Sequence, residues 1–164
     1  MPRPARFLKP CRSFFLTCHL YLAILLAMAR DKIHDAVKNA LIKDGWTITA
    51  DPFTIQFEGE PVYADLKAEK PITAERAGQK IVVEIKSFAN VSPMQDFKES
   101  LGQYLIYREL INELIPEYQP ILAISEAAYY GAFQRAIIKL MVQRYQIALC
   151  VVNLAKEEVV LWTN

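Results

Sequence analysis

The chain is predicted to fold as an α/β domain, a mixed β-sheet flanked by helices. Three observations predict it: an amphipathic helical stretch at residues 31–44, an apolar β-branched run at 81–88, and a long capped helical stretch that starts at Ser92 directly after that run. Strand and helix signals then alternate toward the carboxyl end, as expected for helices packed on the faces of one sheet.

Within 31–44, Ile33, Ala36, Val37, Ala40 and Leu41 recur at helical spacing. Asp31 and Asp35 stand in the first turns, Lys43 near the end and Gly45 just beyond, which are helix start and stop signals. Residues 46–49, 53–57 and 62–66 read as strands, punctuated by Pro52 and by Glu58-Gly59-Glu60-Pro61. The run 81–88 reads as a central strand, in a hairpin with 72–76 across a turn at 77–80. Ser92 is placed to cap the next helix, Pro93 to occupy its first position and Gln95 to complete a capping box. Phe97, Leu101, Tyr104, Leu105 and Ile111 line its apolar side, and Pro116 closes it. A strand at 121–125, a helix around 130–143 and strands at 147–152 and 159–162 complete the domain.

A chain of 164 residues with 53% apolar and 23% charged content predicts one compact core. Residues 1–27 stand apart, because they carry Arg3, Arg6, Lys9 and Arg12 with no acid, and an apolar run spans 14–29. A basic stretch followed by an apolar one has the form of an export signal. The run is shorter than the roughly 20 apolar residues that a spanning helix needs, and an acid-started helix follows it without a spacer. The expectation is therefore a cytoplasmic domain over 28–164 starting at Met28, with 1–27 an artefact of start-codon choice; a cleaved signal is the alternative.

Residues 1–27 hold four of the 19 basic residues and none of the 18 acids, so the remainder carries a net charge of −3. Binding nucleic acid through overall charge is thereby excluded, and contact with DNA would need a local patch or bound cations. The same balance gives a membrane surface nothing to attract. Cys11, Cys18 and Cys150 imply no disulfide framework, no Cys/His spacing suits zinc, and with only His19 and His34 a histidine-based catalytic or metal centre is nearly excluded.

The residues suited to chemistry lie on the central strand. Its period of two places Ile81, Val83 and Ile85 on one face and Val82, Glu84, Lys86 and Phe88 on the other. Two charges in an otherwise apolar strand cost stability unless they are paired or bind something. Asp65, on the earlier strand, is the best second carboxylate. Two carboxylates suit Mg²⁺ or Mn²⁺, and a nearby lysine can orient the attacking water and offset charge on a phosphate, which is the equipment of metal-dependent phosphodiester hydrolysis. The alternative is a Glu84–Lys86 salt bridge on a solvated face. In the following helix Gln103 and Tyr107 are one turn apart, with Asp96 and Ser100 at a similar angle, a polar stripe beside the apolar face. Gln103 can position a phosphate, a base or a water; a solvated helix edge is the other reading. Glu69 and Glu75 are rival carboxylates read as surface residues. His34 and Lys38 share a helix face that can border the site, without a catalytic assignment.

The stretches Asp31-Lys32-Ile33-His34-Asp35-Ala36-Val37-Lys38-Asn39-Ala40-Leu41, Val83-Glu84-Ile85-Lys86-Ser87-Phe88 and Gly102-Gln103-Tyr104-Leu105-Ile106-Tyr107-Arg108 resemble the XisH family, the fdxN-element excision controlling factors. The resemblance runs from about Met28 to the end. It implies a restriction-endonuclease-like fold, a cyanobacterial source, and a role in excising a DNA element with a recombinase and a companion protein, XisI; self-association is left open. It also implies that Asp65, Glu84 and Lys86 correspond to the PD-(D/E)xK nuclease motif, and that Gln103 with Tyr107 is similar to the Q-x-x-x-Y motif of some members of that superfamily. Ala64, where the motif has Pro, is a departure. A catalytically silent module that holds DNA or XisI is the competing expectation, favoured by the acidic charge.

Overall fold

A computed structural model of the chain describes residues 31–70 and 78–163. The expectations for residues 1–27 and for 72–76, including Glu75, lie outside the described residues. Helix α1 is His34–Lys43. Four short strands follow: β1 Thr47–Ala50, β2 Phe53–Phe57, β3 Glu60–Ala64 and β4 Leu66–Glu69. Strand β5 is Lys80–Ile85 and helix α2 is Pro93–Leu114. Then come β6 Gln119–Ser125, α3 Glu126–Tyr130, a 3₁₀ turn at Ala132–Gln134, α4 Ala136–Tyr145, β7 Leu149–Asn153 and β8 Glu158–Thr163.

Among the described residues six strands form one sheet in the order β1-β4-β5-β6-β7-β8, and β2 pairs with β3 in a separate hairpin. β5–β6 and β6–β7 are parallel, while β1–β4, β4–β5 and β7–β8 are antiparallel. The expected mixed α/β sheet is therefore present. Alternation along the three central strands divides the core. Ile81, Val83, Ile85, Ile121, Ala123, Cys150 and Val152 pack with Val37, Ala40 and Leu41 of α1 on one face. Leu122, Ile124, Leu149 and Val151 pack with Phe97 and Tyr104 of α2 and Ile138 of α4 on the other. On that second side, Val82, Tyr107 and Ile111 meet Ile55 and Ala64 of the hairpin.

Three expectations need correction. The strand expected at 62–66 breaks at Asp65, where the chain leaves the hairpin and enters the main sheet. β5 is flanked by β4 and β6. The helix around 130–143 is instead two helices joined by a 3₁₀ turn. Ser125 Oγ caps the first by accepting from Ala128 N–H at 3.1 Å, and it stops at Gly131, where a Cβ would stand 2.8 Å from the Ala127 carbonyl oxygen. Ser92 does cap α2, accepting from Gln95 N–H at 3.4 Å, but the Gln95 amide donates to Glu99 at 3.2 Å, so no capping box closes. Among the described residues no helix is long and apolar enough to cross a membrane.

Candidate functional site

β4 runs antiparallel to β5 with Leu66 opposite Val83, so the residue ahead of Leu66 arrives beside Glu84. That residue is Asp65. Its Oδ2 accepts from the Ile85 N–H at 2.7 Å, which fixes the carboxylate against β5. Glu84 faces α2, as its alternation with Val82 predicts, and is only 6% exposed. Lys86 lies one residue past the end of β5, its N–H still donating to the Ala123 carbonyl at 3.1 Å. Its ammonium reaches Glu99 Oε2 at 2.9 Å and lies 3.8 Å from Asp96 Oδ1. The alternative Glu84–Lys86 salt bridge does not form among the described ion pairs.

Burial is the largest influence on the Glu84 carboxyl, and the charge of Asp65 adds to it; Asp31 contributes in the same direction. A hydrogen bond with Tyr107 and the charge of Lys86 oppose them, and the carboxyl is pushed up to about 8. A like-charged pair in a desolvated place is the electrostatic setting that a hard divalent cation relieves. Asp65 and Glu84 are accordingly the residues that would hold Mg²⁺ or Mn²⁺, although among the described residues no group of three His, Cys, Asp or Glu side chains is arranged so that it could hold a metal ion. Burial acts to lower the Lys86 pKa, but its hydrogen bond to Glu99 and the charges of Glu99, Asp96 and Asp31 outweigh that and raise it. Lys86 thus stays an ammonium, a fixed positive charge, at neutral pH.

Tyr107 and Gln103 form the next layer. The Tyr107 hydroxyl donates to the Tyr63 carbonyl oxygen of β3 at 2.7 Å and is also hydrogen-bonded with the side chains of Glu84 and Gln103. Burial, followed by the charge of Glu84, raises its pKa, so it stays a phenol. Gln103 is half-buried. The stripe expected beside the apolar face is, for Tyr107, Asp96 and Ser100, buried within it. Asp96 accepts from the Asn90 N–H at 3.2 Å and from the Asn90 amide, and Ser100 Oγ donates to the Asp96 carbonyl at 2.6 Å. Asp96 thereby ties the segment after β5 to the start of α2, while the Ser100 bond lies within the helix.

Three groups that carry no site assignment in the sequence also converge here. Asp31 Oδ2 accepts from the Ser87 N–H at 2.8 Å, placing an acid from the start of α1 near Glu84 and Lys86. His34 is buried, with Nε2 3.0 Å from Asp51 Oδ1 and Nδ1 3.8 Å from Asp65 Oδ1. Asp51 Oδ2 accepts from Lys38 Nζ at 2.7 Å. The shared helix face of His34 and Lys38 was the only available signal. Glu69 is engaged elsewhere, accepting from the Tyr118 hydroxyl.

The family described as XisH protein matches residues 27–160. A crystal structure of an XisH family protein from Nostoc punctiforme is 35% identical, with a TM-score of 0.74, and the alignment covers 82% of this chain and 100% of that one. A crystal structure of an fdxN element excision controlling factor protein from Anabaena variabilis is 36% identical, with the same TM-score and coverage. No curated protein matches.

Proposed function

The chain belongs to the XisH family, and from that premise we propose that it is an excision controlling factor that acts on DNA through a PD-(D/E)xK-type, cation-dependent nuclease site. The observation that carries this reading is the convergence of Asp65 and Glu84, two carboxylates brought together in a place where burial and mutual repulsion push Glu84 up to about 8. A purely structural role explains such a pair poorly, because an unrelieved buried charge destabilises the fold.

When bound, Mg²⁺ or Mn²⁺ supplies positive charge to a phosphate and makes a water more acidic. The protein does the rest. Ile85 N–H and Tyr107 hold Asp65 and Glu84 in fixed positions. Lys86, kept protonated by Glu99 and Asp96, offers its charge to the phosphate oxygens and a proton to the leaving oxygen. Gln103, tied to the Tyr107 hydroxyl, is placed to donate to a phosphate or a water. With a net charge of −3 outside residues 1–27, DNA is attracted locally, by the cation and Lys86, or with the help of a basic partner such as an XisI-like companion or a recombinase.

The test is cleavage of single-stranded, duplex and branched DNA in Mg²⁺ or Mn²⁺, comparing wild type with Glu84→Ala and Lys86→Ala. Cutting by the wild type that both substitutions abolish is expected. Cutting that survives both places the chemistry elsewhere. One observation favours a second reading, a silent module that holds DNA or its companion: the Lys86 ammonium is bound to Glu99 rather than directed at the carboxylates. Absence of cutting by the wild type, with and without the companion, would favour it.

A further inference from the structure

Resting on the reading that the chain acts on DNA, we infer that a groove along α4 is a further DNA-binding surface, one that holds a single strand leading to the Asp65–Glu84 site. The groove measures about 830 Å³ and is bounded by α4 and by residues of β7 and β8. Phe133, Val142 and Leu149 give it an apolar lining, and Tyr129, Lys139 and Gln143 add a ring, a cation and an amide. Its volume falls within the roughly 300–1,000 Å³ of ligand sites.

Charge selects the occupant. Residues 127–155 hold Arg135, Lys139 and Arg144 and no acid, in a domain whose net charge over 28–164 is −3. All three are exposed, and among the described residues none of them pairs with an acid, whereas Lys38, Lys43, Lys70, Lys80, Lys86 and Arg108 each do. Arg135 and Lys139 stand one turn apart at the start of α4, a row of cations that suits successive phosphates. Tyr130 is 70% exposed, and its ring meets that of Tyr129 edge to face at 5.2 Å, which offers bases a stacking surface. Cations in a groove beside open aromatic rings are the equipment of single-strand binding. An acidic polypeptide would use the cations alone. The groove also reaches the site: Phe133 packs edge-on against Phe88 at 4.9 Å, and Phe88 is two residues past Lys86. Because β5 and β6 are parallel, the site at the end of β5 and the start of α3 at the end of β6 share one end of the sheet, the end where open α/β sheets take their ligands.

The experiment is fluorescence anisotropy of a labelled oligothymidylate with the full chain, in EDTA and over a series of NaCl concentrations, with the matching duplex and polyglutamate as competitors. Variants are first shown to be folded by circular dichroism. Arg135→Ala and Lys139→Ala should each flatten the slope of log affinity against log salt by about 0.7, the share of one single-strand phosphate contact. Tyr130→Leu should weaken binding roughly tenfold with the slope unchanged, and Tyr130→Phe should bind as wild type does. An unchanged slope in both cation variants overturns the inference, as does a wild type that does not bind the oligothymidylate. Preference for the duplex overturns the single-strand assignment. Displacement by polyglutamate as readily as by unlabelled oligothymidylate, with Tyr130→Leu unaffected, overturns it in favour of an acidic protein partner. None of these readings involves cutting, so loss of the groove leaves the nuclease reading standing, and absence of Glu84-dependent cleavage in Mn²⁺ leaves the groove standing.

Discussion

Glu84→Gln should make the cation-free protein more stable, and by an amount that depends on pH. The wild-type carboxyl titrates at about 8 in the folded chain against an ordinary 4.5, so the folded state holds its proton more tightly than the unfolded state does. Below pH 4.5 both states are protonated and nothing is lost. Between 4.5 and 8 the unfolded chain ionises first, and wild-type stability falls as pH rises. Above 8 both are ionised and the loss is constant. At about 1.4 kcal/mol for each pH unit, the destabilisation is about 3 kcal/mol at pH 7 and about 5 kcal/mol at pH 9. Glutamine has the same shape and does not ionise. Urea unfolding in EDTA should therefore give a variant about as stable as wild type near pH 4.5 and more stable by several kcal/mol at pH 9. Mn²⁺ at 100 times its dissociation constant should narrow the difference by about 2.7 kcal/mol, since it stabilises only the form that binds it. A stability difference that stays constant from pH 4.5 to 9 would refute the reasoning, because it would mean that Glu84 ionises as an ordinary glutamate.

Tyr107→Phe removes the donor to the Tyr63 carbonyl and a partner of Glu84, at a cost of about 1–3 kcal/mol in the same urea assay. Because the lost hydrogen bond holds the Glu84 pKa down, stability in that variant should go on falling to a higher pH than in wild type. Lys86→Met should change stability by no more than about 1 kcal/mol, since its closest partner, Glu99, is exposed. The same change should reduce any cation-dependent DNA cleavage about a hundredfold or more. Cys150 is buried and its thiol is pushed up to about 12 by that burial, so iodoacetamide at pH 8 should label position 150 only once urea unfolds the chain, as mass spectrometry of the peptides can show. Ile111→Ala opens a hole where α2 meets the hairpin, and should lower stability by about 2–5 kcal/mol.

The parts legible from the sequence are those whose physics is local. Alternation along β5 correctly divided Ile81, Val83 and Ile85 from Val82 and Glu84, because a strand has only two sides. Ser92 and Pro93 announced the start of α2, because a helix end leaves backbone N–H groups that a nearby side chain must satisfy. What could not be read depends on neighbours distant in the chain. The Asp65 bend is set by the crossing from one sheet to another, which no short window contains. Helical spacing put Asp96, Ser100 and Tyr107 on one flank of α2 but did not reveal that this flank is covered by the hairpin and by the segment after β5. His34, Asp51 and Asp31 enter the site because α1 packs on the opposite face from α2 and its start reaches the end of β5, a convergence of segments 20 to 56 residues apart in sequence.

The position of Asp65 at the junction of hairpin and main sheet also bears on the order of events during folding. Its place beside Glu84 exists only after β4 has zipped against β5, and the Tyr107 contact exists only after the hairpin has settled on α2. Both are long-range contacts, whose loop closures come at a greater entropic cost than local turns and tend to be completed late. A chain that has formed only its helices and isolated strands presents no converged carboxylates, so the two acids assemble as the last segments dock.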